Sequence, residues 1–249
     1  MNAIEPLLVL DQVFAGYGKT TILNGATARV RRGAITTVIG PNGAGKSTMF
    51  KAVFGLLPAR SGTIRFDGRD VTNFTPRQML DTGAVYIPQG RNIFPELSVR
   101  HNLELGGVSL RDQTSLARRL DAVIERFPML KEKANAQGST LSGGQQKLLE
   151  VARGLLLDPK LILIDEPSIG LAPATVQDVF AILKDLRDGG VTILLIEQNA
   201  KQALQISDYG LVLEQGQTRI EDTAAKILAD PRIAQLFLGG GLAQPEHAA

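Results

Sequence analysis

The sequence contains no cysteine and no tryptophan, and it has only two histidines among its 249 residues. The absence of cysteine excludes disulfide bonds and thiolate metal sites. The formal net charge is only +2, so composition does not favour nucleic acid or anionic lipid as a partner. No apolar run approaches the ~18 residues of a membrane-spanning helix, and the first residues lack the basic region of a signal peptide. We therefore expect a cytoplasmic protein that can still dock onto a membrane protein.

Strand-like and helix-like patterns alternate along most of the chain. Predicted strands cover residues 7–14, 34–40, 61–68, 83–89, 161–165 and 191–197. Residues 98–157 and 173–187 have helical patterns, and residues 209–220 are typical of a hairpin that turns near Gln215 and Gly216. Strands joined by crossover helices predict an α/β fold with a mostly parallel core sheet.

The segment GPNGAGKST, residues 40–48, lies between a predicted strand and a predicted helix. This is the pattern of a P-loop, in which backbone N–H groups and a helix N-terminus bind phosphate oxygens. Lys46 would neutralise the β- and γ-phosphates, and Ser47 would bind Mg²⁺ through its hydroxyl. The predicted nucleotide-binding residues here are Gly40, Pro41, Asn42, Gly43, Ala44, Gly45, Lys46, Ser47 and Thr48.

Two carboxylates, Asp165 and Glu166, follow the apolar run LILI. Parallel strands bind ligands beyond their carboxyl ends, so these groups should lie beside the P-loop. We expect Asp165 to hold Mg²⁺ and Glu166 to orient or deprotonate the attacking water.

The segment LSGGQQK, residues 141–147, begins another predicted helix, with Ser142 as its N-cap. Its two glycines would let an anion approach the helix N-terminus closely. A capped helix start with no ligand is an equally open interpretation of this segment read alone.

Together these motifs resemble the ATP-binding subunit of an ABC transporter, and the resemblance extends from about Leu8 to about Leu238. It implies a P-loop NTPase fold of ABC type, with an antiparallel β subdomain and an inserted helical subdomain. One ATPase domain would cover residues 1–238, with a nucleotide-binding core at 1–90 and 156–238 and a helical signature subdomain at 91–155. Residues 239–249 would form a flexible tail.

The resemblance also implies roles for individual residues. Tyr17 would stack on adenine, and Gln89 would reach Mg²⁺ and the attacking water and begin the segment that meets the membrane subunits. ATP held on a second, head-to-tail ATPase subunit would be contacted by the signature residues Ser142, Gly143, Gly144 and Gln145. The expected ligands are therefore ATP and Mg²⁺. The expected partners are a second ATPase subunit, two membrane permeases and, indirectly, a periplasmic binding protein, at the cytoplasmic face of the inner membrane.

Two positions depart from the commonest pattern of this family. Ala172 stands where many members have aspartate, and Gln198 stands where a histidine often senses the terminal phosphate. An amide donates to phosphate but cannot become charged, so we expect Gln198 to weaken the switch by about 5–30-fold without abolishing catalysis. A polar strand-end residue without phosphate contact is the alternative.

The segments EPSIGLAP, LLIEQNA and PQGRNIFPELSV resemble one of the two ATPases of branched-chain amino-acid importers. ATPases of urea and short-chain amide importers are closely similar. A soluble ABC protein without a transporter is a further alternative, although repair types carry long insertions and ribosomal types carry two cassettes. A module that binds but does not hydrolyse ATP is disfavoured by intact Lys46, Asp165 and Glu166.

Overall fold

A computed structural model describes residues 5–110 and 112–233. Its strands are β1 (Pro6–Tyr17), β2 (Thr20–Arg31), β3 (Ile35–Ile39), β4 (Ala59–Phe66), β5 (Arg69–Asp70), β6 (Ala84–Ile87), β7 (Leu161–Asp165), β8 (Thr192–Ile196), β9 (Tyr209–Glu214) and β10 (Gln217–Thr223). Its helices are α1 (Lys46–Val53), α2 (Pro76–Thr82), α3 (Val99–Gly106), α4 (Leu116–Arg126), α5 (Pro128–Glu132), α6 (Gly143–Leu155), α7 (Pro173–Asp188), α8 (Ala200–Ile206) and α9 (Ala224–Ala229).

The strands form two sheets. One is antiparallel, in the order β2-β1-β4-β5, and the other has the order β10-β9-β3-β8-β7-β6. In the second sheet β3, β6, β7, β8 and β9 run parallel, and β10 pairs antiparallel with β9 as the predicted hairpin. The predicted α/β fold with a mostly parallel core sheet and an antiparallel β region is therefore confirmed.

The five parallel strands of the core sheet are largely buried and consist mostly of apolar residues, as expected for strands covered on both faces. Successive side chains of a strand point to opposite faces. Along β7, Leu161 and Leu163 pack into the cluster beside the antiparallel sheet, and Ile162 and Ile164 pack into the cluster beside α6 and α7. Asp165 ends this strand and is only 2% exposed. Apolar packing on both sides therefore fixes the position of a carboxylate at the sheet edge.

Helices α3, α4, α5 and α6 lie between β6 and β7, in the stretch that the sequence predicted to be helical. The division into a core and a helical subdomain at residues 90/91 and 155/156 stays a prediction. The predicted tail, 239–249, lies outside the described residues, as does the predicted domain end at residue 238.

The turn between β9 and β10 reaches the P-loop. Gly216 N–H donates to the carbonyl oxygen of Ala44 at 2.9 Å, and Gly216 O accepts from Asn24 N–H at 2.9 Å. A Cβ at Gly216 would lie 1.8 Å from Ile22 O, and its φ is +77°. Only glycine fits this close approach, by which the C-terminal hairpin supports the P-loop and β2.

Candidate functional site

The P-loop curls between the end of β3 and the start of α1 because its glycines adopt positive φ. Gly40, Gly43 and Gly45 have φ of 154°, 81° and 102°. A Cβ at Gly40 would also lie 2.0 Å from Leu213 O. The glycines of the motif are thus required by the path of the backbone.

Lys46 is the first residue of α1 and is 8% exposed. Its ammonium donates to Gly40 O at 2.8 Å and to Pro41 O at 3.1 Å, so the lysine also braces its own loop. Burial lowers the pKa of Lys46, while the charges of Glu166 and Asp165 oppose that shift. The predicted lysine and both predicted carboxylates therefore interact electrostatically in one site.

Asp165 has one oxygen with a partner and one without. Its Oδ2 accepts a hydrogen bond from the Tyr86 hydroxyl at 3.3 Å. Its Oδ1 is buried and has no hydrogen-bond partner within the described ranges. Burial raises the pKa of Asp165, and the neighbouring hydroxyls of Ser47 and Tyr86 and the charge of Lys46 oppose the rise. An unpartnered buried carboxylate oxygen is costly unless a donor or a cation reaches it.

Glu166 follows the strand with a backbone conformation that is rare for a residue with a side chain. Its φ is +47°, which costs on the order of 1–3 kcal/mol and is commonest at functional sites. Its N–H donates to Ile196 O at 2.9 Å, and Gln89 Nε2 donates to its Oε2 at 2.8 Å. Burial raises the pKa of Glu166, Asp165 raises it further, and Lys46 opposes both. The predicted residues Gln89 and Glu166 are therefore in direct contact.

A cavity of about 340 Å³ opens over the P-loop. It is lined by Tyr17, Ile22, Asn42, Gly43, Ala44, Gly45, Lys46, Ser47, Thr48 and Glu166. Tyr17 is 48% exposed, and Lys51 Nζ lies 5.7 Å from the centroid of its ring. An exposed aromatic face beside a P-loop can stack on a flat heterocycle, so the position of Tyr17 is compatible with its predicted role.

The signature residues lie at the start of α6 and do not line this cavity. Ser142 is the N-cap: its hydroxyl accepts from Gln145 N–H at 3.3 Å, and Gln145 Oε1 accepts from Ser142 N–H at 3.1 Å. A Cβ on Gly144 would lie 1.8 Å from Thr175 Cγ2 of α7. Close packing of α6 on α7 is therefore a reason for the second glycine that the sequence interpretation did not include.

Gln198 also lies apart from the P-loop cavity. It is exposed just after β8 and lines a separate cavity of about 610 Å³ with Ser168, Ile169 and Gly170. The P-loop and the switch position thus line different cavities. A phosphate contact by Gln198 stays a prediction.

Sequence reasoning missed Glu197, the residue before the switch. It is 1% exposed and accepts from Ser168 N–H at 2.9 Å, from the Ser168 hydroxyl at 2.6 Å and from Gln198 N–H at 3.2 Å. Burial raises the pKa of Glu197, and the hydrogen bonds from Ser168 oppose the rise. Its only sequence signal was an acidic residue at the end of a buried strand. The carboxylate joins the loop after β7 to the backbone of Gln198.

Among the described residues, no helix has the length and apolar character needed to cross a membrane.

The chain is similar to known proteins over most of its length. Residues 23–169 match a family model described as ABC transporter. The chain is 41% identical to the high-affinity branched-chain amino acid transport ATP-binding protein BraG of Pseudomonas aeruginosa, over 94% of this chain and 100% of that protein. It is 35% identical to a probable branched-chain amino acid transport ATP-binding protein, LivF, of Archaeoglobus fulgidus, over 90% and 95% of the two chains.

The fold is also similar to solved structures. A crystal structure of the ADP conformation of an ATP-binding cassette of an ABC transporter superposes with a TM-score of 0.84 at 29% identity, covering 94% of this chain and 99% of that one. A nucleotide-free ATP-binding cassette gives the same TM-score at 28% identity, over 93% and 98% of the chains.

Proposed function

The chain belongs to the ABC transporter family of ATP-binding proteins, and from that premise we propose that it powers an importer of branched-chain amino acids. ATP hydrolysis is its activity as a member of this family. One observation carries the assignment of the site: buried Lys46, buried Asp165 and Gln89-bound Glu166 interact at the edge of the P-loop.

In the proposal, ATP binds in the cavity over the P-loop. The loop N–H groups and the N-terminus of α1 hold the phosphates, which favour the positive end of a helix dipole. Lys46 neutralises the β- and γ-phosphates, and the exposed face of Tyr17 stacks on adenine. The cavity volume of about 340 Å³ is in the range of small-molecule sites.

The residues around Asp165 fit a magnesium ion. The buried Oδ1 of Asp165 lacks a partner among the described residues, and the hydroxyl of Ser47 lies nearby. Carboxylate and hydroxyl oxygens are the hard ligands that Mg²⁺ prefers, and it keeps several waters of its own. Asp165 and Ser47, with Gln89, would hold the ion. When bound, Mg²⁺ supplies neutralisation of negative charge on the β- and γ-phosphates.

Glu166 is the proposed base. Burial raises its pKa toward the working pH, where a carboxylate accepts a proton from water more readily. Its left-handed backbone directs the side chain to the cavity, and Gln89 fixes one of its oxygens. The other carboxylate oxygen can then orient the attacking water. Gln198 contacts the γ-phosphate as an uncharged donor.

A second ATPase subunit completes the site in this proposal. The chain has one P-loop and one signature segment, and the signature residues lie outside the P-loop cavity. Ser142, Gly143, Gly144 and Gln145 of one subunit therefore face ATP held by the other, head to tail. Closure by a helix N-terminus excludes water and strengthens each electrostatic contact. We propose a heterodimer with a different ATPase, and a homodimer is the alternative result.

The membrane partners are proposed to dock at a groove beside β6 and α6. It has a volume of about 170 Å³ and is lined by Leu80, Val85, Tyr86, Ile87, Pro88, Asn92, Gly106, Glu150, Arg153, Gly154 and Leu157. Phe94 is 50% exposed and Val108 is 69% exposed. The guanidinium carbon of Arg153 lies 6.0 Å from the ring centroid of Phe94. Exposed apolar side chains beside a groove are typical of protein interaction sites. Docking onto two permeases would place the chain at the cytoplasmic face of the inner membrane. A periplasmic binding protein would be a partner of this chain only indirectly, through the permeases.

The cargo rests on the relatives alone, because no described side chain of this site would touch it. BraG and LivF are named for branched-chain amino acid transport. The lipopolysaccharide export ATP-binding protein LptB of Escherichia coli is 33% identical, less than either.

The test is reconstitution with the membrane proteins that copurify with this chain. We expect proteoliposomes with Mg-ATP to take up leucine in preference to urea when binding protein is supplied. Glu166→Gln should remove uptake and hydrolysis while Mg-ATP still binds. Uptake of urea instead would refute the cargo, and no hydrolysis by the wild-type complex would refute the proposed function itself.

A further inference from the structure

A buried ion pair lies on α6, directly after the signature residues. Lys147 Nζ and Glu150 Oε2 are 2.6 Å apart, and their side chains are 6% and 1% exposed. Taking two charges out of water is costly, and their attraction offsets that cost only when further hydrogen bonds complete them. The partners of the further hydrogen bonds therefore indicate the role of the ion pair.

Both charged side chains form further hydrogen bonds with the backbone of one loop. This loop, the glutamine loop (residues 88–92), lies between β6 and α3. Lys147 Nζ donates to Gly90 O at 2.9 Å. Asn92 N–H donates to Glu150 Oε1 at 2.5 Å. In the same loop, Gln89 Nε2 donates to Glu166 Oε2 at 2.8 Å. One end of this short segment thus contacts the catalytic carboxylate, and the rest is bonded to the signature helix.

We infer that Lys147 and Glu150 are positioning residues that hold the glutamine loop so that Gln89 reaches Glu166. The inference rests on the proposed function, since it takes Glu166 as the base. Gln89 itself is exposed, so its own surroundings do not fix it. The fixed points are the backbone groups of Gly90 and Asn92, and α6 carries both of their partners.

This arrangement connects the glutamine loop, the signature residues and the groove proposed for the permeases. α6 begins at the signature residues proposed to close over a neighbouring ATP. Glu150 and Asn92 also line the groove proposed for the permeases. A displacement of α6 or a partner in the groove therefore moves Gln89 relative to Glu166. Hydrolysis becomes sensitive to both contacts through the same two hydrogen bonds.

The test replaces the pair by apolar residues of similar size in the reconstituted transporter, as Lys147→Met with Glu150→Leu. Such replacements of buried ion pairs often leave stability unchanged or raised, whereas a single change leaves an unpaired charge. We expect the unfolding midpoint and the Kd for Mg-ATP to be retained. kcat should fall about tenfold or more, because small misplacements of catalytic groups are costly. KM for ATP should stay within about twofold.

A second arm asks whether the effect passes through Gln89. In a Gln89→Ala background the double replacement should cause little further loss of kcat, since coupled residues are not additive. The matched control changes an exposed ion pair in the same way, as Glu125→Leu with Lys131→Met. The side chains of Glu125 and Lys131 are 66% and 55% exposed. This control should leave kcat unchanged.

The outcomes separate the inference from the proposed function. Wild-type kcat in the folded Lys147→Met, Glu150→Leu protein would overturn the inference, as would an equal loss in the Gln89→Ala background. If the double replacement does not fold, Lys147→Gln with Glu150→Gln decides, because this neutral pair leaves no unpaired charge and keeps an amide donor and an acceptor for Asn92 N–H. Its kcat should stay within about tenfold of wild type, and a larger loss would overturn the inference. A wild-type complex that hydrolyses no ATP would instead refute the proposed function.

Discussion

Alanine at Gly144 should destabilise the protein by a steric clash between two helices. The new Cβ would lie 1.8 Å from Thr175 Cγ2 and 3.3 Å from Thr175 Cβ. Overpacking of this kind costs about 1–3 kcal/mol, and replacing glycine by alanine in a helix returns up to about 1 kcal/mol. With ~1 kcal/mol returned, the net loss is at most about 2 kcal/mol. For a domain of this size it corresponds to a melting temperature lower by up to about 8 °C.

Urea unfolding of the isolated subunit without nucleotide measures this loss. Gly143→Ala is the matched control, because its Cβ would meet only the ends of two side chains, Leu171 Cδ2 at 3.1 Å and Arg91 Nη2 at 3.8 Å. The rescue is Thr175→Ser, which removes the clashing methyl group. We expect Gly144→Ala with Thr175→Ser to unfold close to the midpoint of Thr175→Ser alone.

The opposite result would identify a different role for the glycine. If Gly144→Ala unfolds at the wild-type midpoint but loses hydrolysis in the assembled complex, approach to an anion, not packing, requires glycine there. If Gly143→Ala is the more destabilising variant, the described packing of α6 on α7 is wrong.

Two further predictions concern charge. Burial raises the pKa of Asp165 in the folded protein. Its contribution to the free energy of unfolding therefore falls as the pH rises from about 4, the pKa of aspartate in the unfolded chain, through the higher pKa in the folded protein. Urea unfolding should therefore find nucleotide-free Asp165→Asn more stable than wild type at pH 7, with the difference vanishing toward about pH 4; a constant difference would contradict this. Gln198→Ala should reduce steady-state hydrolysis by about 5–30-fold, less than Glu166→Gln does, with no step in the pH profile near ~6.5 from an imidazole. A larger effect of Gln198→Ala would reverse that ranking.

The elements with strong local patterns were predictable from the sequence. The run at 161–165 is β7 to the residue, and the helical pattern at 173–187 corresponds to α7, Pro173–Asp188. β2 was missed, because Asn24 and Gly25 are turn residues in its middle and register shifts interrupt its pairing with β1. A short apolar run can be recognised as a strand from its own residues. A long irregular strand such as β2 becomes recognisable only from its pairing with a neighbouring strand.

Within the site, residue types could be predicted but contacts between distant segments could not. The P-loop and the carboxylate pair follow from local pattern and from the rule for parallel strands. The buried ion pair did not, since lysine and glutamate in a helix are normally solvated. Lys147 and Glu150 are buried only because a loop some 57 residues earlier in the chain supplies their partners. No periodicity within α6 carries that information.

The link between Gly216 and Ala44 has a consequence for how the protein is made. A ribosome completes the phosphate-binding segment early, but the turn that supports it is translated only at residue 216 of 249. β3, which leads into that segment, also pairs with β8 and β9, both from the last quarter of the chain. Contacts so distant in sequence form slowly. A nascent chain should therefore be unable to retain ATP until β8, β9 and the turn at Gly216 have been synthesised, and products terminated before that turn should not compete for nucleotide.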